Sequence, residues 1–205
     1  DEATIAANVV KAEEQLRKVL QGYDFKLVNN LDWTKDLKVI DFLRDYGKHF
    51  SMTPLIQRDY IATRLGQGGN GISYAEFSYT VLQGMDYLYL YDNEKVTLQL
   101  GGSDQWGNIV TGTELIRRKE DGEAFALTTQ LINKADGSKF GKSEGGNIWL
   151  DHEKTSTYKF YQYWLNTSDE DATRFIKIFT QREREEIDSL IQEHSTAPHL
   201  RKVQL

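Results

Sequence analysis

Apolar residues recur every three to four positions over residues 3–21 (ATIAANVVKAEEQLRKVLQ), with acids early and bases late, which predicts a helix. The short apolar run FKLV at 25–28 reads as a strand, and NNLDW at 29–33 as the loop that ends it. LKVIDFLRDYG (37–47) and SMTPLIQRDYIATRL (51–65) each read as a helix. Ser73 followed by Glu76 forms a capping box that opens a long helix running to about Tyr91. On it Phe77, Val81, Met85 and Leu88 share the stripe that suits a core. VTLQL (96–100) alternates apolar and polar residues and predicts a strand. GGSDQWG (101–107) then turns into the helix NIVTGTELIRRKE, and ALTTQLIN (126–133) is again strand-like. From Thr155 the pattern is helical, in TSTYKFYQYWLN, DEDATRFIKIF and REREEIDSLIQEH, and HLRKVQL opens one more helix. Strands alternating with helices argue for an α/β fold with a parallel sheet, followed by a helical appendage.

Composition narrows the chemistry. A chain of 205 residues buries about 70% of its unfolded surface and forms a core without staples. There is no cysteine, hence no disulfide, thiolate nucleophile or cysteine-bound metal. No apolar run approaches the length of a membrane span. The net charge of −6 argues against a broad nucleic-acid surface and leaves room for a local basic patch.

GQGGNG (66–71) fits the dinucleotide fingerprint Gly-x-Gly-x-x-Gly, but a helix precedes it where that motif needs a strand. It reads as a helix–helix connection.

Three other stretches carry candidate chemistry. On the long helix, Tyr79, Gln83 and Asp86 are four and three residues apart and share one stripe. That stripe is either a face turned to water or a pocket wall offering a phenol, an amide and a carboxylate to a small polar ligand. In LQLGGSDQWGN (98–108) a strand ends in two glycines before a helix, the place where open α/β sheets bind nucleotides. Asp104 there is either a helix cap, a role open to Ser103 as well, or an acceptor for ribose hydroxyls. In DGSKFGKSEGG (136–146), Lys139 and Lys142 lie three apart among four glycines. This is either a solvated hairpin or a closing loop that grips phosphate.

Taken in order, these stretches resemble one family. KFGKS (139–143) is similar to the Lys-Met-Ser-Lys-Ser signature of class I aminoacyl-tRNA synthetases. Tyr-x-x-x-Gln-x-x-Asp, then Gln-x-Gly-Gly-Ser-Asp-Gln-Trp-Gly-Asn, then KFGKS resemble the tyrosyl-tRNA synthetases of bacterial and organellar type. NNLDW, FLRDYGKHFS and KFYQYWLNT agree, and the likeness runs from about residue 25 to residue 180.

The resemblance implies the second half of a Rossmann-like catalytic domain over 1–153 and the start of a helical domain over 154–205. It implies that Tyr79 and Gln83 hold the amino group of L-tyrosine, Asp86 meets its phenol, and Gln99 and Gln105 line the amino-acid end. Gly102 and Asp104 would meet the ribose of ATP, and the backbone of Leu131 and Ile132 the adenine. Lys139, Lys142 and Ser143 would hold pyrophosphate as it leaves, with Mg2+ arriving on ATP and no metal site in the protein itself. It further implies a homodimer, with Tyr74 and Phe77 near the contact, tRNA(Tyr) as partner of the full-length protein, and a cytoplasmic location. None of the four histidines sits in a His-Ile-Gly-His setting, so the sequence is expected to be a middle section that does not activate tyrosine alone. A sister ligase for tryptophan and a non-catalytic RNA-binding relative are the alternatives. Tyr158, Tyr161 and Trp164 are expected in the core.

Overall fold

The structure is a computed structural model that describes residues 1–138, 140–143 and 146–205, with residues 59, 60, 142, 143 and 146 described by their backbone alone. The chain forms two compact units, Asp1–Thr129 and Gln130–Leu205. The division expected at 153/154 falls inside the second unit, because the segment after Thr129 packs on the helices that follow it.

The first unit holds α1 (Glu2–Val19), α2 (Leu31–Thr34), α3 (Val39–Asp45), α4 (Met52–Ile56), α5 (Asp59–Leu65) and α6 (Tyr74–Glu94), then β1 (Leu98–Gly102), α7 (Trp106–Glu120) and β2 (Phe125–Thr129). β1 and β2 pair in parallel, Leu98 opposite Phe125 through Gly102 opposite Thr129, with α7 as the crossover. This is the expected α/β arrangement.

α6 begins as the sequence indicates. The Ser73 hydroxyl accepts from the Glu76 N–H, and the Glu76 carboxylate accepts from the Ser73 N–H at 3.0 Å. Arg64 adds an ion pair to Glu76 at 2.8 Å. The Arg64 guanidinium and the Ser73 donors hold the Glu76 carboxyl at about 2, well below its ordinary 4.5. Such a depressed group stabilises the fold fully above its ordinary value, and that contribution is lost as pH falls toward about 2. Helicity followed by circular dichroism from pH 4.5 to 2 is therefore expected to fall further in the wild type than in Glu76→Gln. Equal loss in both would refute it.

Phe77, Val81, Met85 and Leu88 are buried, as their spacing requires. One core cluster joins Tyr87, Leu88, Ile109, Leu115 and Ile116; a second joins Leu55, Ile61, Phe77 and Val81. The helices α6 and α7 approach closely at Gly84 and Gly112. A Cβ on Gly112 would stand 2.7 Å from Tyr87 Cδ1. The Tyr87 hydroxyl lies 2.9 Å from the Thr97 carbonyl and 2.8 Å from the Phe125 carbonyl, donating between them.

Several local expectations are corrected. FKLV forms no strand and pairs with none among the described residues, and a strand needs a ladder partner for its backbone groups. NNLDW is not a plain loop: Asn29 Oδ1 accepts from the Leu31 N–H and starts the short helix α2. Residues 51–65 form two helices, because the Arg58 backbone is extended and its guanidinium donates to Thr111 on α7. GQGGNG is the expected connection, with Gly68 and Gly71 at φ of +82° and +70°.

The second unit holds the hairpin β3 (Lys142–Ser143) with β4 (Gly146–Asn147), then α8 (Thr157–Leu165), α9 (Asp169–Phe179), α10 (Arg184–Glu193) and a closing 3-10 turn at Pro198–Gln204. Ser156 and Ser168 cap α8 and α9. Trp164 joins an aromatic cluster with Phe175 and Phe179, as expected. Tyr158 and Tyr161 do not. They are 71% and 56% exposed, because α8 turns Phe160, Tyr163 and Trp164 into the ring contacts instead.

Candidate active site

The residues expected to hold the amino acid, Tyr79, Gln83 and Asp86, share one stripe of α6. Tyr79 is exposed, while Gln83 and Asp86 are half-buried. Asp86 is held from outside its helix: Trp33 Nε1 donates to its Oδ1 at 2.8 Å and Asn30 Nδ2 to its Oδ2 at 3.0 Å. The Trp33 ring stacks on Tyr89 at 4.3 Å, three residues beyond Asp86, so indole and carboxylate are fixed together. A carboxylate accepts about four hydrogen bonds, so two donors leave room for a ligand hydroxyl. Sequence reasoning assigned no role to Asn30 or Trp33. The signal was present, since both lie in NNLDW, but their pairing with a residue over fifty positions away leaves no local trace.

The strand-end site is built from β1 and the turn after it. Gln99 is half-buried on β1, and its Oε1 is buried without a hydrogen-bond partner. An orphaned acceptor of this kind fits a donor such as an ammonium group. Gly102 ends the strand, and Ser103–Gln105 form a 3-10 turn before α7. Asp104 is exposed there and accepts from Gln105 Nε2 at 2.9 Å. The capping expectation is corrected: α7 has no side-chain cap, and the residue at that position is Gln105. Asp104 is thus left for other acceptor work.

The loop site lies in the second unit. Leu131 is exposed and Ile132 half-buried; the Ile132 carbonyl accepts from the Phe140 N–H at 3.4 Å. Gly137 and Gly141, at φ of +80° and +79°, make the turns the glycine pattern indicates. Lys139 lies outside the described residues, and Lys142 and Ser143 are placed by backbone, with Lys142 opposite Asn147 and Ser143 opposite Gly146.

Phe140, between the two lysines, is anchored: its ring lies 4.7 Å from Phe179, 5.1 Å from Phe175 and 5.9 Å from Trp164. The Gly141 N–H donates to the Tyr163 hydroxyl at 3.2 Å, and burial pushes that phenol up. Asp171, buried at the start of α9, accepts from the Ala135 N–H at 2.7 Å and from the Ser168 hydroxyl. Phe140 and Asp171 both escaped the sequence reading. Among the described residues, those lining a cleft of about 690 Å³ beside Lys134, Tyr158 and Gln162 include none of the expected site residues.

Among the described residues no cluster of three or more carboxylates and imidazoles is placed to hold a metal, and no helix is long and apolar enough to cross a membrane.

Comparison with known proteins agrees with this arrangement. The family model for class I tRNA synthetases (W and Y) matches residues 1–205. A tyrosine–tRNA ligase of Flavobacterium psychrophilum is 55% identical over 214 residues, covering 100% of this chain and 49% of that protein. One from Porphyromonas gingivalis is 55% identical over 213 residues, with the same shares. The chain thus spans about half the length of the curated relatives it matches. Among solved structures, a C-terminally truncated mitochondrial tyrosyl-tRNA synthetase of Coccidioides posadasii superposes with a TM-score of 0.70 at 32% identity, over 86% of this chain and 50% of that one. The corresponding protein of Aspergillus nidulans gives 0.65 at 29% identity, over 89% of this chain and 54% of that one. With a small parallel sheet, crossover helix and strand-end site matching a family model along its whole length, the chain belongs to the class I tRNA synthetases of the tryptophan and tyrosine family.

Proposed function

We propose that the chain carries the tyrosine-binding wall and part of the ATP site of a tyrosine–tRNA ligase. The observation that carries this is Asp86, a half-buried carboxylate fixed by Trp33 and Asn30 with acceptor capacity to spare. A phenol hydroxyl fills that capacity, and phenylalanine leaves it empty. The relatives at 55% identity are tyrosine ligases, which supports tyrosine over tryptophan.

In this reading Tyr79 and Gln83 take the amino group, Gln99 lines the amino-acid end, and Gln105 faces the reacting carboxylate. Gly102 and Asp104 meet the ribose, Leu131 and Ile132 the adenine, and Lys139, Lys142 and Ser143 the leaving pyrophosphate. The tyrosine carboxylate attacks the α-phosphorus of ATP. One oxygen–phosphorus bond forms, the α–β anhydride breaks, and pyrophosphate leaves with the Mg2+ that came with the nucleotide. The carboxylate is already a nucleophile, so no base is needed, and the protein's contribution is positioning and charge stabilisation. Lysines that bind the departing charge most tightly speed the step. The adenylate then esterifies the terminal ribose of tRNA(Tyr), with release of AMP.

The same reading places the activity in the cytoplasm and in a homodimer. Tyr74, which is 73% exposed, suits a dimer contact; Phe77 does not, since it is buried against Leu55, Ile61 and Val81. Calorimetric titration of the chain with non-hydrolysable tyrosyl-, phenylalanyl- and tryptophanyl-adenylate analogues tests the proposal. The tyrosyl analogue is expected to bind tightest. Equal affinity for all three, or a preference for the tryptophanyl form, would overturn it.

A further inference from the structure

A continuous row of side-chain hydrogen bonds crosses from the middle of α6 to the end of β1. The Thr80 hydroxyl, 2% exposed, donates to Asn108 Oδ1 at 2.7 Å. Asn108 Nδ2 donates to Gln105 Oε1 at 3.3 Å, and Gln105 Nε2 donates to Asp104 Oδ2 at 2.9 Å. All four residues lie in the first unit.

The direction of the row follows from chemistry alone. A carboxylate accepts and does not donate, so Asp104 requires the NH2 end of the Gln105 amide. Gln105 must then turn its oxygen to Asn108. Asn108 must answer with its own NH2 and show its oxygen to Thr80, whose hydroxyl supplies the hydrogen. The Asp104 end sets this polarity, the Thr80 hydroxyl, which can donate or accept, completes it as a donor, and each amide then has one orientation that satisfies the row.

We propose that Thr80 and Asn108 are positioning residues that hold Gln105 with its NH2, and not its oxygen, toward the strand end. This rests on the reading that Gln105 faces the reacting carboxylate and Asp104 the ribose. One amide hydrogen is engaged by Asp104 and the second faces the substrate. A donor there stabilises the negative charge of the carboxylate and phosphoryl oxygens, whereas the amide oxygen would repel it.

Asn108→Asp is the sharpest test. It keeps the size of the side chain and still accepts from Thr80, but it faces Gln105 with oxygen and forces the amide to turn or leave. The full 205-residue chain is used, with the Gln105 side-chain NH2 resonances assigned by their loss in Gln105→Glu. In Asn108→Asp those resonances are expected to move while the apolar core spectrum stays, and affinity for the tyrosyl-adenylate analogue is expected to fall about tenfold. Thr80→Val is expected to shift them less, and Thr80→Ser to restore them, which separates positioning from misfolding.

Unmoved resonances in Asn108→Asp, or moved resonances with unchanged affinity, would overturn the positioning role and leave the ligand reading standing. If the wild type shows no preference for the tyrosyl analogue, the ligand reading falls and the role at the reacting carboxylate falls with it. The resonance comparison still decides the polarity of the row.

Discussion

Asp86→Ala is expected, on the function proposed above, to abolish a preference for a tyrosyl over a phenylalanyl adenylate analogue. The expected loss of affinity for the tyrosyl form is about 10- to 100-fold, the worth of one hydrogen bond to a charged group, about 1.5–3 kcal/mol. Affinity for the phenylalanyl form is expected to change little, because that ligand has no hydroxyl to lose. The two inward donors, Trp33 Nε1 and Asn30 Nδ2, lose their acceptor as well, so the fold also weakens by about 1–3 kcal/mol. Trp33→Phe separates the effects. It retains a ring to stack on Tyr89 but gives up the N–H, so it is expected to weaken selectivity by less than Asp86→Ala. Calorimetry with both analogues reads the difference directly. If Asp86→Ala weakens both ligands equally, Asp86 shapes the helix and does not read the phenol.

Gly112→Val is expected to destabilise the first unit by about 3 kcal/mol, the upper end of the usual range for overpacking a core. A Cβ alone at this position stands 2.7 Å from Tyr87 Cδ1 and 2.8 Å from Tyr87 Cβ. Tyr87 has little freedom to withdraw. It is 1% exposed, and its hydroxyl is held between the Thr97 and Phe125 carbonyls. Replacing a helical glycine normally favours the helix by up to about 1 kcal/mol, so the clash has to exceed that gain, and valine's branched Cβ makes it do so. Tyr87→Phe is the control. It keeps the ring and gives up the hydroxyl; the Thr97 carbonyl still accepts from the Phe125 N–H at 2.8 Å, so the cost is that of one hydrogen bond, about 0.5–1.5 kcal/mol. Urea unfolding of the variants measures both. A Gly112→Val chain as stable as the wild type would mean that the helices slide apart at no cost.

What the sequence made legible was local. Ser73 and Glu76 announce the start of α6 because a capping box is closed by residues three apart. The alternation in VTLQL marks β1, and Gly137 and Gly141 of the lysine loop fall where the backbone takes positive φ. The order of the motifs indicated the family, which the family model bears out, and put forward the strand-end and helix residues proposed for the site.

What stayed hidden depends on partners distant in the chain. The orientation of Asp86 comes from residues 53 and 56 positions upstream, and the link from Asp171 to Ala135 spans 36. Tyr158 and Tyr161 follow a core-like spacing and still face outward, because the neighbouring face of α8, with Phe160, Tyr163 and Trp164, makes the ring contacts. FKLV has the composition of a strand, yet composition supplies no ladder partner. Phe140 stands in a basic loop, where nothing in the local pattern tells an aromatic anchor from an exposed ring.

The position of the Tyr87 hydroxyl also bears on the order in which the unit assembles. Its two acceptors lie 10 and 38 residues further along the chain, and the buried residues of its cluster all fall between 87 and 116. Contacts so near in sequence close small loops, and small loops close quickly. The stretch from α6 to β2 therefore has the makings of a single cooperative folding unit, first to form and last to open. Its backbone amides are the ones to exchange most slowly with deuterated solvent, well behind those of helix α1, which has no buried residue.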